Sequence, residues 1–350
     1  MKDISYKSCW HTLEEGLFRS LALTTTLSEG AFMSLFDSFM TEYLRIRMFN
    51  ARPLVAVSGG VDSTYLLAKC VQLFGRDGVE AINVRGSGYS ESKEAYETCQ
   101  ALGVRLHEEE FNASEVVVPM IEELGMPIDR GSTIPVYVMC KWAEVNDMDL
   151  IVGDSADCVF APGMSSHVRI MEHGEDPYPK PNMSVLTLFN NAKKVALFEK
   201  YHHVDPIHEA MLFDALHEIP YYYRMRYQQF SPGTRVILPY QHPAILSRAM
   251  CADIHRVTSP VKMPLRNLTY EILLDKCDIM PETARRLTQR PKKALKIEAS
   301  SLESVISRWA HVPHDEPLFN QNCRVAELSP ETQYTLALFN IWLDKVWYNR

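Results

Sequence analysis

With 350 residues, 46% of them hydrophobic and 23% charged, the chain has the material for one large domain or two smaller ones around a sizeable core. Its formal charge of −8 argues against general nucleic-acid binding, which calls for a basic face. No apolar run nears the roughly 20 residues that span a bilayer, and the first residues lack the apolar stretch of a signal peptide, so the sequence reads as a cytoplasmic protein with no membrane partner.

Along the chain, residues 1–50 read as helical, with Phe32, Phe36, Phe39, Met40, Tyr43 and Leu44 at helical spacing, and Arg52-Pro53 closes that segment. Residues 54–57, LVAV, form a short apolar run that suits a buried strand of a parallel sheet. The polar turn Ser58-Gly59-Gly60-Val61-Asp62-Ser63 follows, and from Thr64 an apolar helix runs through Tyr65, Leu66, Leu67, Ala68, Val71 and Leu73. Residues 81–84 predict a second strand, and Ala95, Cys99 and Leu102 mark one face of a helix. Residues 104–111 predict a third strand, although its acidic half is poor strand material. Residues 116–124 predict a helix stopped at Gly125, residues 133–145 another, and residues 150–152 a strand that ends at Gly153-Asp154.

Strands alternating with helices call for an α/β fold with a doubly wound parallel sheet. Ligands of such sheets sit beyond the carboxyl ends of the strands, so residues 58–63 and 153–157 are expected to face one pocket. After about residue 165 the character changes. Residues 173–184 read as a polar, proline-rich surface loop, and the remainder as mostly helical with no further clear strand. Residues 336–347 carry apolar side chains at helical spacing, as a packing helix or a dimer surface would. The eight cysteines, Cys9, Cys70, Cys99, Cys140, Cys158, Cys251, Cys277 and Cys323, include no C-x-x-C pair, so neither a zinc knuckle nor a vicinal dithiol is indicated.

The turn at 58–63 poses the chemical question. Two glycines after a strand allow a tight turn and close approach of a ligand to the backbone. The open N–H groups of the following helix form an anion site strengthened by the helix dipole. An ordinary turn with Asp62 or Ser63 as helix cap accounts for a bare Gly-Gly; the hydroxyls on either side and the acid between them favour a phosphate site. No lysine stands where a Walker A loop requires one. The six residues instead resemble the SGGxDS signature of the PP-loop ATP pyrophosphatases, which release pyrophosphate from ATP and leave AMP on the substrate.

Further stretches narrow the resemblance. Gly153-Asp154-Ser155-Ala156-Asp157-Cys158-Val159-Phe160 resembles the GEGSDEVFGG signature of the asparagine synthetase family, and Arg290-Pro291-Lys292-Lys293-Ala294-Leu295 is similar to its RPKEAF segment. Lys262, Leu265-Arg266 and Ile279-Met280-Pro281 resemble its K-x-x-LR followed by LP, and Ser132-Thr133-Ile134-Pro135-Val136-Tyr137 its STP-x-Y segment. Arg235 to Pro239 is a weaker match to its R-V-P-F-L-D segment, without the acid. The likeness spans roughly residues 51–300 and takes in the β-lactam synthetases. It implies an N-terminal helical extension (1–50), an ATP pyrophosphatase domain (51–300) with an α/β core (51–165) and a mostly helical part (166–300), and a helical tail (301–350).

What the resemblance implies for function is an AMP-forming ligase that adenylates a carboxylate and forms an amide with ammonia or an amine, using ATP and Mg2+. Ser58, Gly59, Gly60, Val61, Asp62 and Ser63, with Val84 and Gly153, are the expected nucleotide contacts, and Asp62 and Asp157 the expected metal ligands. By itself Asp157 reads as a helix cap; paired with Asp62 it favours the metal. Lys292 is expected to stabilise charge on the leaving pyrophosphate, with Lys293 a rival one register away. Asp154 stands where the family has a glutamate that handles the incoming amine, and Cys158 replaces a second acid. Position 2 holds Lys2 rather than the nucleophilic cysteine of a glutaminase domain, so ammonia is expected to arrive free or from a separate glutaminase, or the nucleophile is another amine. The alternatives are a PP-loop nucleotide- or tRNA-modifying enzyme, and an ATP-binding pseudoenzyme subunit of a larger complex. His202, His203 and His208 with Asp205 are a weak metal cluster interrupted by Pro206. The aromatic and basic run 220–227 reads as a buried helix that packs tyrosines near the pocket.

Overall fold

Strand β1 (Pro53–Ala56) is buried along its whole length, as its continuous apolar run requires. It lies at the middle of a five-stranded parallel sheet of order β3-β2-β1-β4-β5, in a computed structural model that describes residues 27–86, 92–127, 132–161, 211, 225–231, 235–252, 261–291, 299–312 and 324–348. The other strands are β2 (Glu80–Gly86), β3 (Arg105–Phe111), β4 (Asp149–Ile151) and β5 (Val236–Ile237). Leu54 and Val55 pair with Glu80 and Ala81 on one side and with Leu150 and Ile151 on the other. The chain leaves β1 toward β2 and β3, then returns to place β4 on the opposite flank. Strand order therefore reverses between β1 and β4, and a crevice opens there at the carboxyl ends.

The doubly wound sheet expected from the sequence is present. Alternation along the strands divides the core into two layers. Val55, Val57, Ala81, Ile151 and Ile237 face one side. Packed there are α1 (Glu29–Arg47), α2 (Val61–Phe74), α3 (Ser92–Leu102), α6 (Ala156–Phe160), α8 (Pro243–Met250), α9 (Met263–Asp275) and α10 (Pro281–Thr288). Leu54, Ala56, Ile82, Val84, Leu150 and Val152 face the other side. That layer holds α4 (Ala113–Leu124), α5 (Thr133–Val145), α7 (Met225–Phe230), α11 (Ala299–Trp309) and α12 (Pro330–Trp342). Helix α4 ends where expected, on Gly125 in the left-handed conformation.

One departure from the sequence reading concerns a strand. Val236 and Ile237 add a fifth strand beside β4, in a region that showed no strand run. Two residues are too few for periodicity to register; the Arg235 guanidinium, which donates to Asp149 on β4 from Nε at 2.8 Å and from Nη2 at 2.5 Å, helps seat them. Strand β3 does form through its acidic half, because it is an edge strand whose Glu108 and Glu110 stay in solvent, and such charges discourage edge pairing. The 173–184 loop and the 202–208 histidine cluster lie outside the described residues.

Helix α1 is an integral part of the first layer. Its Phe32, Phe36, Met40 and Leu44 are buried at helical spacing. The Phe36 ring lies 5.4 Å from Tyr65, 5.1 Å from Phe160 and 6.1 Å from Tyr240, centroid to centroid. Phe36→Ala is expected to lower the free energy of unfolding by about 3–5 kcal/mol in urea titration, as cavities of this kind do. A loss below about 1 kcal/mol would show that α1 is peripheral to the core.

Candidate active site

The turn after β1 is held by its own hydroxyls. The Ser58 amide donates to Ser63 Oγ (3.2 Å), Ser63 Oγ donates to the Gly60 carbonyl (3.1 Å), and the Gly60 amide donates to Ser58 Oγ (3.3 Å). Gly59 is required twice over. Its φ of +77° is left-handed, and a Cβ there would stand 2.5–2.7 Å from Cβ, C and O of Glu94 at the start of α3. Helix α2 begins with Gly60 as its cap and no side-chain capping bond, so neither Asp62 nor Ser63 plays the capping role. The start of α2 thus carries no side-chain cap bond, and helix starts of this kind are where anions bind.

The loop after β4 packs directly on this turn, since a Cβ on Gly153 would meet Asp62 Cβ and the Ser63 nitrogen at 3.5 Å. Ser155 follows with φ +72° as the cap of α6, and Asp157 sits in that helix's first turn. Between the two loops lies Lys262. Its ammonium is 2.5 Å from Asp62 Oδ2 and 2.9 Å from Asp157 Oδ1, and the residue is only 4% exposed. Burial alone would pull this ammonium down, but Asp62 and then Asp157 outweigh it and hold it above the ordinary lysine value. Lys262 has φ +64°, a left-handed conformation that is costly for a residue with a Cβ and is the kind of strain found at functional sites. Tyr240 closes the floor by donating to the Asp62 carbonyl at 3.1 Å; burial and then Asp62 raise its hydroxyl well above the ordinary value.

Asp154 is engaged on the other flank. The buried Arg226 pairs with its Oδ2 and also donates to Ser132 Oγ at 2.7 Å, while the Tyr227 hydroxyl donates to the same Asp154 oxygen at 2.7 Å. Burial, then Asp154, raises that phenol well above its usual value. The structure thus draws the 132–137 segment, the β4 loop and the aromatic run into one cluster. A cavity of about 690 Å3 opens beside it, with Tyr227, Gln241 and Arg47 among its lining residues.

Of the residues singled out from sequence, Ser58, Gly59, Gly60, Val61, Asp62, Ser63, Gly153, Asp154 and Asp157 lie around the crevice. Val84 lies near the carboxyl end of β2 with its side chain in the core. Its neighbour Asn83 makes the tie, donating to the Val57 carbonyl at 2.7 Å and accepting from Ser92 at 3.1 Å. Lys292 and Lys293 lie outside the described residues. Arg290, just ahead of them, donates to the Gly59 carbonyl at 3.2 Å. Sequence reasoning named Lys262 only as part of a motif, and missed that it would face both carboxylates. It also missed Arg226 and Tyr240; the basic residue within the aromatic run was the one available signal for Arg226.

Asp62 and Asp157 do fit a divalent cation. One oxygen from each lies within 2.9 Å of a single cationic centre, now the Lys262 ammonium. Among the described residues no group of three or more His, Cys, Asp or Glu could hold a metal. Magnesium takes one or two carboxylates and completes its shell with phosphate oxygens and water. Burial pushes the thiols of Cys70, Cys99 and Cys140 up to about 12, which keeps these three protonated near neutral pH.

Comparison with known proteins places this geometry. The family model described as asparagine synthase matches residues 36–260. Among individual proteins, an NH(3)-dependent NAD(+) synthetase of Thermotoga neapolitana is 35% identical over 118 residues, covering 30% of this chain and 37% of that protein. The protein of the same name from Thermotoga maritima is 35% identical over 92 residues, covering 25% and 30%. The chain therefore aligns with about a third of the length of these relatives. Among the described residues no helix is long and apolar enough to cross a membrane.

Lys262→Met is expected to destabilise the protein by about 2 kcal/mol in urea titration, below the range for a fully buried pair because both carboxylates keep some solvent access. Its raised ammonium makes the difference from wild type constant through neutral pH. The difference fades only as pH climbs from 10.5 through the raised value, where the ammonium is lost. Millimolar Mg2+ should recover part of the loss in the variant. An unchanged midpoint would contradict this account of the pair.

Proposed function

The chain belongs to the asparagine synthase family, and on that footing we propose that it is an ATP-dependent ligase. It activates a carboxylate with release of pyrophosphate, leaves AMP, and joins the carbonyl to ammonia or an amine. The reading is carried by one arrangement: the uncapped amides at the start of α2 and the Asp62–Asp157 pair meet at the β1/β4 reversal, where such folds bind nucleotides.

The turn of Ser58, Gly59, Gly60, Val61, Asp62 and Ser63 receives the β and γ phosphates, with Gly153 close behind it. Mg2+, held by Asp62 and Asp157, neutralises phosphate charge when bound. Lys262 bridges the two carboxylates and offsets their mutual repulsion before the nucleotide enters. The carboxylate substrate then attacks the α-phosphorus, the α-phosphorus–oxygen bond to pyrophosphate breaks, and an acyl-adenylate results. Lys292, with Lys293 as its rival, meets the charge on the departing pyrophosphate. Its support is the Arg290 anchor two residues earlier. Attack of the amine on the acyl carbon then expels AMP. Asp154 takes part in handling that amine through the Arg226 and Tyr227 cluster.

The relatives from Thermotoga are NH(3)-dependent NAD(+) synthetases, which supports ammonia as the nitrogen source. A separate glutaminase or a second copy of the chain are the candidate partners, and the cytoplasm the candidate compartment. Buried thiols of high pKa give no support to a sulfur-transferring alternative.

Incubation with ATP, Mg2+ and a pool of carboxylates, with and without ammonium, is expected to yield AMP and pyrophosphate in one carboxylate fraction. Asp62→Ala and Lys292→Ala should each lower AMP formation by at least about 100-fold, the scale of losing a charge-stabilising group, while Lys292→Ala still binds ATP. ADP and phosphate as products would overturn the proposal.

A further inference from the structure

The turn before Lys262 and residues 288–290 both approach the 58–63 turn from the carboxyl-terminal half of the chain, and one guanidinium binds the backbone of both. Arg266, 4% exposed in α9, donates from Nε to the carbonyl of Val261 at 2.6 Å, immediately before Lys262. From Nη1 it donates to the carbonyl of Thr288 and, at 3.1 Å, to that of Arg290. Arg290 in turn spans the gap to the turn itself. Its Nη1 faces the Gly59 carbonyl (3.2 Å), the Glu94 carbonyl (2.7 Å) and Thr98 Oγ1 (2.9 Å), and its Nη2 meets Glu97 Oε2 at 2.8 Å.

The close approach that forces glycine at position 59 is the same one that aims both carbonyls at this guanidinium. A side chain at 59 would push Glu94 away and open the socket. Lysine could not replace either arginine, because only a planar fork offers several donors in fixed directions. Neither guanidinium touches the Asp62, Asp157 and Lys262 cluster through the hydrogen bonds just described. Their bonds fix the backbone of the Lys262 turn, residues 288–290 and Gly59 in one frame.

We propose that Arg266 and Arg290 are positioning residues for the ATP step: they clamp the Lys262 turn and the segment that leads to Lys292 onto the phosphate-facing turn. The proposal rests on the function proposed above. Its consequence is that the clamp sets catalytic geometry more than nucleotide affinity, since the turn amides and Asp62 are supplied by α2 itself.

The test compares Arg290→Met, Arg290→Lys and Glu97→Gln with Arg76→Met in the full-length protein. Arg76 is a fair structural control, because it also ties a loop to a carbonyl, that of Cys277 at 3.0 Å, in the same helical layer and away from the crevice. Glu97→Gln removes only the partly exposed charge partner and keeps the proposal testable if the arginine variants fold poorly. Arg290→Met is expected to lower kcat for AMP formation by about 100-fold, the cost of misplacing reacting groups by an ångström, with KM for ATP changed less than about threefold. Arg290→Lys should recover little, Glu97→Gln should fall between, and Arg76→Met should lose stability without losing kcat.

Amide hydrogen exchange supplies a readout that needs no substrate. Faster exchange at residues 57–63 and 286–291 in Arg290→Met, and not in Arg76→Met, is the expected result. Equal kcat in Arg290→Met and Arg76→Met at matched stability would overturn the clamp. Should the wild type form no AMP with any carboxylate, the proposed function fails, and unchanged exchange at residues 57–63 in Arg290→Met would then overturn the clamp by itself.

Discussion

The site depends on one buried ammonium between two carboxylates. Asp62 stands at the start of α2 and Asp157 at the start of α6, on loops that leave adjacent strands β1 and β4. Two unscreened negative charges at that separation repel, and repulsion would spread the crevice where the strand order reverses. Lys262 cancels it from a third element, and a left-handed residue turns its side chain inward. One ammonium against two carboxylates leaves this cluster with a net negative charge of one in the free protein.

Much of the fold was legible because burial writes itself into the sequence. The strand at 54–57, the helix face Phe32, Phe36, Met40 and Leu44, and the stop at Gly125 each follow from a local rule that the tertiary structure obeys. β5 was not legible, since two residues carry no period and its seat depends on the Arg235–Asp149 pair, 86 residues apart in sequence. The same reason hid the electrostatics of the site. Lys262 lies 200 residues from Asp62, and nothing near it in sequence shows that it points inward. The turn at residues 58–63 was readable as a motif because all of its parts are contiguous.

The two flanks of the crevice differ in how closely they follow the family pattern. On the β1 flank Ser58, Gly60 and Ser63 form a self-supporting turn. On the β4 flank Asp154 is one methylene shorter than the glutamate of the GEGSDEVFGG signature, and Arg226 and Tyr227 hold it. Cys158, in place of a second acid, is buried in the core. Tyr227, which holds Asp154, also lines a cavity of about 690 Å3.

Whether the carboxylate itself attacks ATP is tested most directly by isotope transfer. The carboxylate that supports turnover would be labelled with heavy oxygen, and the AMP formed with Mg2+ and ammonium analysed by mass spectrometry. Attack on the α-phosphorus predicts one heavy oxygen in the phosphate of AMP for each amide made. AMP without the label, or label in inorganic phosphate beside ADP, would contradict adenylation of a carboxylate at this crevice.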